Sequence, residues 1–162
     1  MPTARRSSSS LEDQKVCRAY KVPKVGEQFF YGKSLGLEIE HVDELIEMIK
    51  SGFPSYVFIT LSDAMGLNFK VLAEKAKIAT RTLARRKKGG VLKPAESERV
   101  FRIAFLFDRA VDILGSRENA AEWMIAPKKA LGGKTPLEYA ETELGAREVE
   151  ELLGRLEHGV FS

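Results

Sequence analysis

Between Pro94 and Leu114 the chain runs for 21 residues with no glycine and with its only proline at the start. Val100, Ile103, Ala104, Phe107, Ala110, Val111 and Leu114 recur at steps of three and four, the spacing of one helical face. Phe101, Phe105, Leu106 and Ile113 widen that stripe well beyond an ordinary core-facing band. A helix apolar on most of its sides is either enclosed by other elements or shared between subunits. Either the rest of the chain or a second copy of it has to cover this helix.

The flanking segments also read as helices. Val42, Leu45, Ile46 and Ile49 lie on one helical face, in a helix ended by Ser51-Gly52 and Pro54. Ser55 starts the next, with Val57, Leu61, Ala64 and Met65 inward and Gly66 at its close, although its VFIT run also has strand propensity. Asn68 is a good N-cap for a third helix over 69–77, and Thr80 for a fourth over roughly 81–88, ended by Gly89-Gly90. Shorter helices follow over 117–125, 136–143 and 146–157, punctuated by Gly115, Pro127, Gly132-Gly133 and Gly145. No set of alternating strands appears, so the expected class is all-α, with three regions. Residues 1–40 form a disordered or loop-rich arm, Ser-rich at 7–10, with Phe29, Phe30 and Tyr31 expected to dock on the body. Residues 41–92 form a helix-turn-helix region, and 93–162 a small helical domain whose last helix ends the chain.

Charge is distributed unevenly. The net charge is only +3, yet ATRTLARRKKGG, residues 79–90, carries Arg81, Arg85, Arg86, Lys87 and Lys88 and no acid. Between Glu138 and Glu157 seven acids face two arginines. Two surfaces of opposite sign imply two different partners. Cys17 is the only cysteine, so no internal disulfide can form, which fits a reducing cytoplasm. No apolar run is long enough to span a bilayer, and the N-terminus does not read as a signal peptide.

Enzyme motifs fail on spacing. GGKTP at 132–136 echoes a phosphate-binding loop, but the glycine required five residues before the Gly-Lys pair is Lys128. The segment reads instead as a turn into a helix that opens at Pro136. His41, His158 and one cysteine cannot close a zinc site, and no G-x-S-x-G motif is present. The expectation is a non-enzyme without catalytic residues, cofactor or metal.

The basic stretch is the second half of FKVLAEKAKIATRTLARRKKGG. Leu72, Ala73, Ile78 and Leu83 fall where two short helices and a tight turn bury apolar side chains, with Ala73 small enough for a close crossing. The second helix then offers Thr80, Arg81, Thr82, Arg85, Arg86 and Lys87 to operator DNA. Lys87 and Lys88 also suit a solvated helix C-terminus, but Arg81 in the first turn opposes the helix dipole unless an anion is present. Lys77 stands in the turn where this motif usually carries glycine.

Trp123, Pro127, Leu131-Gly132-Gly133, Thr135-Pro136-Leu137, Gly145, Val149, Leu152 and Gly159-Val160, together with the helix-turn-helix, resemble the Xre/MbcA/ParS-type antitoxins from about Leu61 to the chain's end. The resemblance implies a type II antitoxin that neutralises a RES-domain toxin, a protein with an ADP-ribosyltransferase-like fold that consumes NAD. It implies that the C-terminal domain binds the toxin while the chain's end occludes the NAD pocket. Gly159, Val160, Phe161 and Ser162 would form the plug, with Arg155, Glu157 and His158 beside it. It also implies homodimerisation and repression of the chain's own operon. Trp123 and Pro127 read as scaffold. The alternative is a stand-alone transcription regulator with a C-terminal dimerisation domain.

Overall fold

The computed structural model describes residues 32–39, 41–86 and 89–159. The expectations for residues 1–31, including Cys17 and the docking of Phe29, Phe30 and Tyr31, lie outside them, as do those for Lys87, Lys88, Val160, Phe161 and Ser162. Eight α-helices occur among the described residues: α1 Val42–Ser51, α2 Tyr56–Met65, α3 Phe69–Lys75, α4 Thr80–Arg86, α5 Pro94–Leu114, α6 Arg117–Ile125, α7 Pro136–Tyr139 and α8 Glu143–Glu157. Short 3₁₀ turns lie at Lys33–Leu35 and Lys129–Leu131. No strand occurs among the described residues, and an isolated antiparallel bridge joins Pro54 to Val91. The all-α class, with a helix-turn-helix ahead of a helical C-terminal domain, is the observed one.

α5 is the axis. Val100, Ile103, Ala104, Leu106, Phe107, Ala110 and Val111 are buried along it, and α1, α2, α6, α8 and the Lys33–Leu35 turn all pack against it. The stripe in the sequence is therefore covered from several sides within one chain. The VFIT run is helical despite its strand propensity, because Val57, Phe58 and Leu61 then meet the core together. Phe58 also meets Phe69 of α3 edge-on, at a centroid distance of 5.2 Å.

The Lys33–Leu35 turn is held from two directions. Leu35 and Ile39 are fully buried. The Ser34 N–H donates to the Asp108 carboxylate of α5 at 3.2 and 3.3 Å. Burial pushes the Asp108 carboxyl up to about 7, against the opposing pull of the hydrogen bonds from Ser34; the nearby Asp112 raises it further and Lys33 lowers it.

The junction between α1 and α2 needs one glycine in particular. Gly52 has φ +90°, and a Cβ there would sit 2.1 Å from the Leu92 carbonyl oxygen. The Leu92 N–H in turn donates to the Phe53 carbonyl at 2.8 Å, and the Phe53 N–H donates to Ser97 Oγ at 2.9 Å. The segment entering α5 is thereby laced to the segment leaving α1.

Five element-level expectations are corrected, the first being α7, which ends at Tyr139 rather than at 143 because the extended Thr142 caps α8. α1 buries Leu45 and half-buries Met48 and Ile49, while Val42 and Ile46 are 47% and 42% exposed. Its inner stripe is rotated toward Met48 because only that face meets α5. Thr80 is the first residue of α4 rather than its cap, since the Leu83 N–H donates to the Ala79 carbonyl at 3.1 Å. α3 stops at Lys75, two residues early, because the Ile78 N–H turns back to the Ala73 carbonyl. Gly145 is no break. It lies inside α8, which starts at Glu143 under a Thr142 cap whose Oγ1 accepts from the Gly145 N–H at 3.0 Å. Glycine is needed there because a Cβ would lie 2.0 Å from the Tyr139 carbonyl oxygen.

Candidate nucleic-acid and partner surfaces

α3 and α4 pack through Leu72, Ala73, Ile78 and Leu83, all at most 3% exposed. The turn between them places Lys77 at φ +54°, the one positive φ outside glycine among the described residues. Such a conformation costs a side-chain-bearing residue on the order of 1 kcal/mol. Three groups hold it. The Lys77 N–H donates to the Glu74 carbonyl, and Arg99 of α5 donates from Nε to the Ala76 carbonyl at 2.8 Å and from its guanidinium to the Lys77 carbonyl at 3.4 Å. The third is Glu141, whose carboxylate lies 3.3 Å from Lys77 Nζ. Arg99 was not legible as part of this motif. Its sole signal is a basic residue four positions before Ile103 on α5, on the face that meets the turn.

The expected DNA-facing residues separate into two groups. Thr80, Arg81 and Arg85 are exposed and Thr82 is half-buried. Neither Arg81 nor Arg85 joins an ion pair among the described residues. Arg86 turns the other way. Its guanidinium donates to Glu96 at 2.6 Å, with the two side chains only 16% and 12% exposed. Glu96 also accepts from the Lys93 N–H at 2.7 Å and so fastens the first turn of α5. Burial alone would raise the Glu96 carboxyl, but the Lys93 N–H and Arg86 outweigh it and hold it below the usual range. Arg86 thus fixes the far end of α4, its guanidinium committed to Glu96. The Arg86 carbonyl is capped as well, by Ser55 Oγ at 2.6 Å and the Gly90 N–H at 2.9 Å.

The C-terminal domain presses on the same turn. Lys75 Nζ lies 3.2 Å from Glu138 and Arg102 donates to the Glu141 carbonyl at 3.2 Å. Glu138 completes a capping box with Thr135, whose N–H and hydroxyl both donate to it. The Thr135 N–H, the Lys75 ammonium and the Thr135 hydroxyl together hold the Glu138 carboxyl down at about 2. The GGKTP segment is thus a turn into α7, with Gly132 and Gly133 at positive φ and Pro136 in the first turn.

At the other end of α8, Arg155, Glu157, His158 and Gly159 are exposed. Glu157 is 3.2 Å from Arg109 of α5. Val149 and Leu153 are fully buried, while Leu152 and Leu156 pack at the edge of the core, so the last helix is tied down along its length. Trp123 is half-buried under the Lys128 ammonium, 5.1 Å from the ring centroid, which suits a scaffold role. Among the described residues no group of three or more His, Cys, Asp or Glu is placed to hold a metal ion. No helix among them is long and apolar enough to cross a membrane.

Comparison with known proteins falls on the same two halves. Residues 44–104 match the family described as Antitoxin Xre-like helix-turn-helix domain. Residues 109–159 match the Antitoxin Xre/MbcA/ParS C-terminal toxin-binding domain. The two matches meet inside α5, which serves both. A curated Antitoxin Xre of Yersinia enterocolitica is 38% identical over 132 residues, covering 80% of this chain and 89% of that protein. Antitoxin Xre of Photorhabdus laumondii is 42% identical over 89 residues, 54% of this chain and 60% of that protein. Antitoxin Xre of Pseudomonas putida is 34% identical over 64 residues, 40% of each chain. With a helix-turn-helix packed on a toxin-binding domain, and a relative that it matches nearly end to end, the chain belongs to the Xre-type antitoxins.

Proposed function

We propose that this antitoxin neutralises a RES-domain, NAD-consuming toxin and represses its own operon. α4 reads the operator and the end of the chain occludes the toxin's NAD pocket. The observation that carries the DNA-reading half is Arg81. It stands exposed in the first turn of α4, a turn without an acid, where the helix dipole disfavours a cation unless an anion is near. A DNA phosphate or a guanine edge supplies that partner. Thr80, Thr82 and Arg85 lie on the same short helix, and Lys87 follows it in sequence. Two copies of the chain present two recognition helices to a two-fold operator, which favours a homodimer in the cytoplasm.

The toxin-occluding half rests on α8. Its last turn is exposed at Arg155 and Glu157 and is followed by His158 and Gly159, with the apolar Val160 and Phe161 next in sequence before Ser162. The acidic face of α8, with Glu148, Glu150 and Glu151 exposed, complements a basic cleft that accepts a dinucleotide pyrophosphate. The role is inhibitory binding rather than catalysis. The test is NAD consumption by the protein of the neighbouring reading frame. Full-length chain is expected to stop it, and the chain cut before Gly159 is expected to leave it running. Full inhibition by the cut chain refutes the plug, and absence of NAD loss refutes the RES toxin.

A further inference from the structure

The start of α8 carries a feature that the plug does not use. Thr142 caps the helix and Gly145 lets it approach the Tyr139 carbonyl closely, and this fixed corner turns Leu144 outward. Leu144 is 72% exposed, on the side of α8 opposite the buried Ala146, Val149 and Leu153. A lone exposed leucine needs no explanation. Leu144, however, lies on the lip of an open groove of about 600 Å³, beside the half-buried Tyr139 and between Lys75, Lys134 and Glu148. Lys134 lies 6.0 Å from the Tyr139 ring centroid. Lys75 is paired with Glu138 and Glu141 with Lys77, so the charged groups of the groove that join no ion pair among the described residues are Lys134 and Glu148.

We propose that this groove is a second docking surface for the toxin, separate from the plug. It takes an apolar side chain over Leu144 and Tyr139, flanked by a basic group toward Glu148 and an acidic one toward Lys134. The inference rests on the toxin-neutralising reading above. Three observations select the occupant. All of the groove's lining except Lys75 falls within residues 109–159, the region that matches the toxin-binding domain. Three carboxylates, Glu138, Glu141 and Glu148, against the two ammonium groups of Lys75 and Lys134 leave the lining net negative, which disfavours nucleic-acid phosphates. The apolar element points out of the fold, as a contact for a protein surface does, rather than into an enclosed cavity. Groove and plug lie at opposite ends of α8, about 20 Å apart at 1.5 Å per residue, so one toxin molecule can touch both. The groove then supplies affinity while the chain's end supplies inhibition.

The experiment measures binding of the protein from the neighbouring reading frame to four full-length or nearly full-length chains: wild type, Leu144→Asp, Lys134→Glu, and the chain cut before Gly159. Because Leu144 and Lys134 are exposed, both substituted chains are expected to keep the wild-type melting temperature. Leu144→Asp is expected to weaken toxin binding at least tenfold and Lys134→Glu severalfold, while the cut chain binds within a few fold of wild type yet fails to stop NAD consumption. Wild-type affinity in Leu144→Asp overturns the groove and leaves the toxin-neutralising reading intact. Unchanged toxin affinity with a loss of self-association, seen by sedimentation, also overturns it and assigns the face to a second copy. If wild type does not bind the neighbouring protein at all, the neutralising reading falls and the groove with it.

Discussion

α4 and α8 are each fastened to α5 by an arginine–glutamate pair at their last turn, and the two fastenings differ in how wet they are. Arg86 and Glu96 meet at 2.6 Å with side chains 16% and 12% exposed, and Glu96 is held by a backbone N–H besides. Arg109 and Glu157 meet at 3.2 Å with side chains 27% and 45% exposed. The first pair is screened little by solvent, so losing one partner strands the other. The second is an exposed pair worth a fraction of a kcal/mol. On the proposed function, the helix that presents donors to DNA is locked at its end, and the helix that leads toward the toxin is only tethered.

Arg86→Ala is the strongest attempt to break that contrast. It leaves Glu96 poorly compensated, and we expect a loss of about 3 kcal/mol in denaturant unfolding. A loss no larger than that of Arg109→Ala would erase the difference between the two anchors. Next, Arg81→Ala and Arg85→Ala are each expected to weaken operator binding by about 1–3 kcal/mol in a titration, leaving stability and toxin binding unchanged. Equal weakening by Arg86→Ala in a chain shown to be folded would mean that the inward arginine reads DNA after all.

Asp108 sharpens the comparison from the neighbouring position on α5. Its carboxyl ionises near 3.8 in the unfolded chain and at about 7 in the fold. Between those values the folded chain holds the extra proton, so stability falls as pH rises from about 4 to 7 and then levels off. Asp108→Asn is expected to remove that slope, as read from melting temperature against pH. An identical slope in the variant would place the titration elsewhere. The smallest effect belongs to Arg109→Ala, expected to cost below about 1 kcal/mol. It sharpens the contrast if neutralisation weakens while the melting temperature holds.

The long helix and the helix-turn-helix were legible because each rests on a pattern local to the chain: the stripe on α5, and Leu72, Ala73, Ile78 and Leu83 around a turn. The direction of Arg86 was also within reach. Leu83 and Arg86 are three apart and share a face, so the inward leucine already pointed the arginine inward. Val42 and Ile46 misled because a helical stripe states which residues are neighbours, not which neighbour meets the core; Met48 decided that. Gly145 misled because glycine ends helices often, while Thr142 three residues earlier was the better sign. The ties from Lys75 and Lys77 to Glu138 and Glu141 join residues more than sixty positions apart, and no periodicity carries such information. Leu144 was invisible for the same reason, since its exposure depends on a corner made by tertiary contact.

Lys75 ends α3 and Lys77 sits in the turn ahead of α4, the helix proposed to read DNA, where a basic residue would ordinarily meet phosphate. In this chain both arrive already neutralised by the other domain. A neutralised lysine condenses no phosphate and displaces no counterion, and each phosphate contact contributes roughly −0.9 to the slope of log affinity against log salt. Operator binding should therefore be shallower in salt than the sequence's lysines and arginines would imply, by at most about two phosphate contacts for each bound chain. Glu141→Gln should steepen it by releasing Lys77. The acidic domain would thus act as a built-in counterion, strongest at low salt because both pairs are open to solvent.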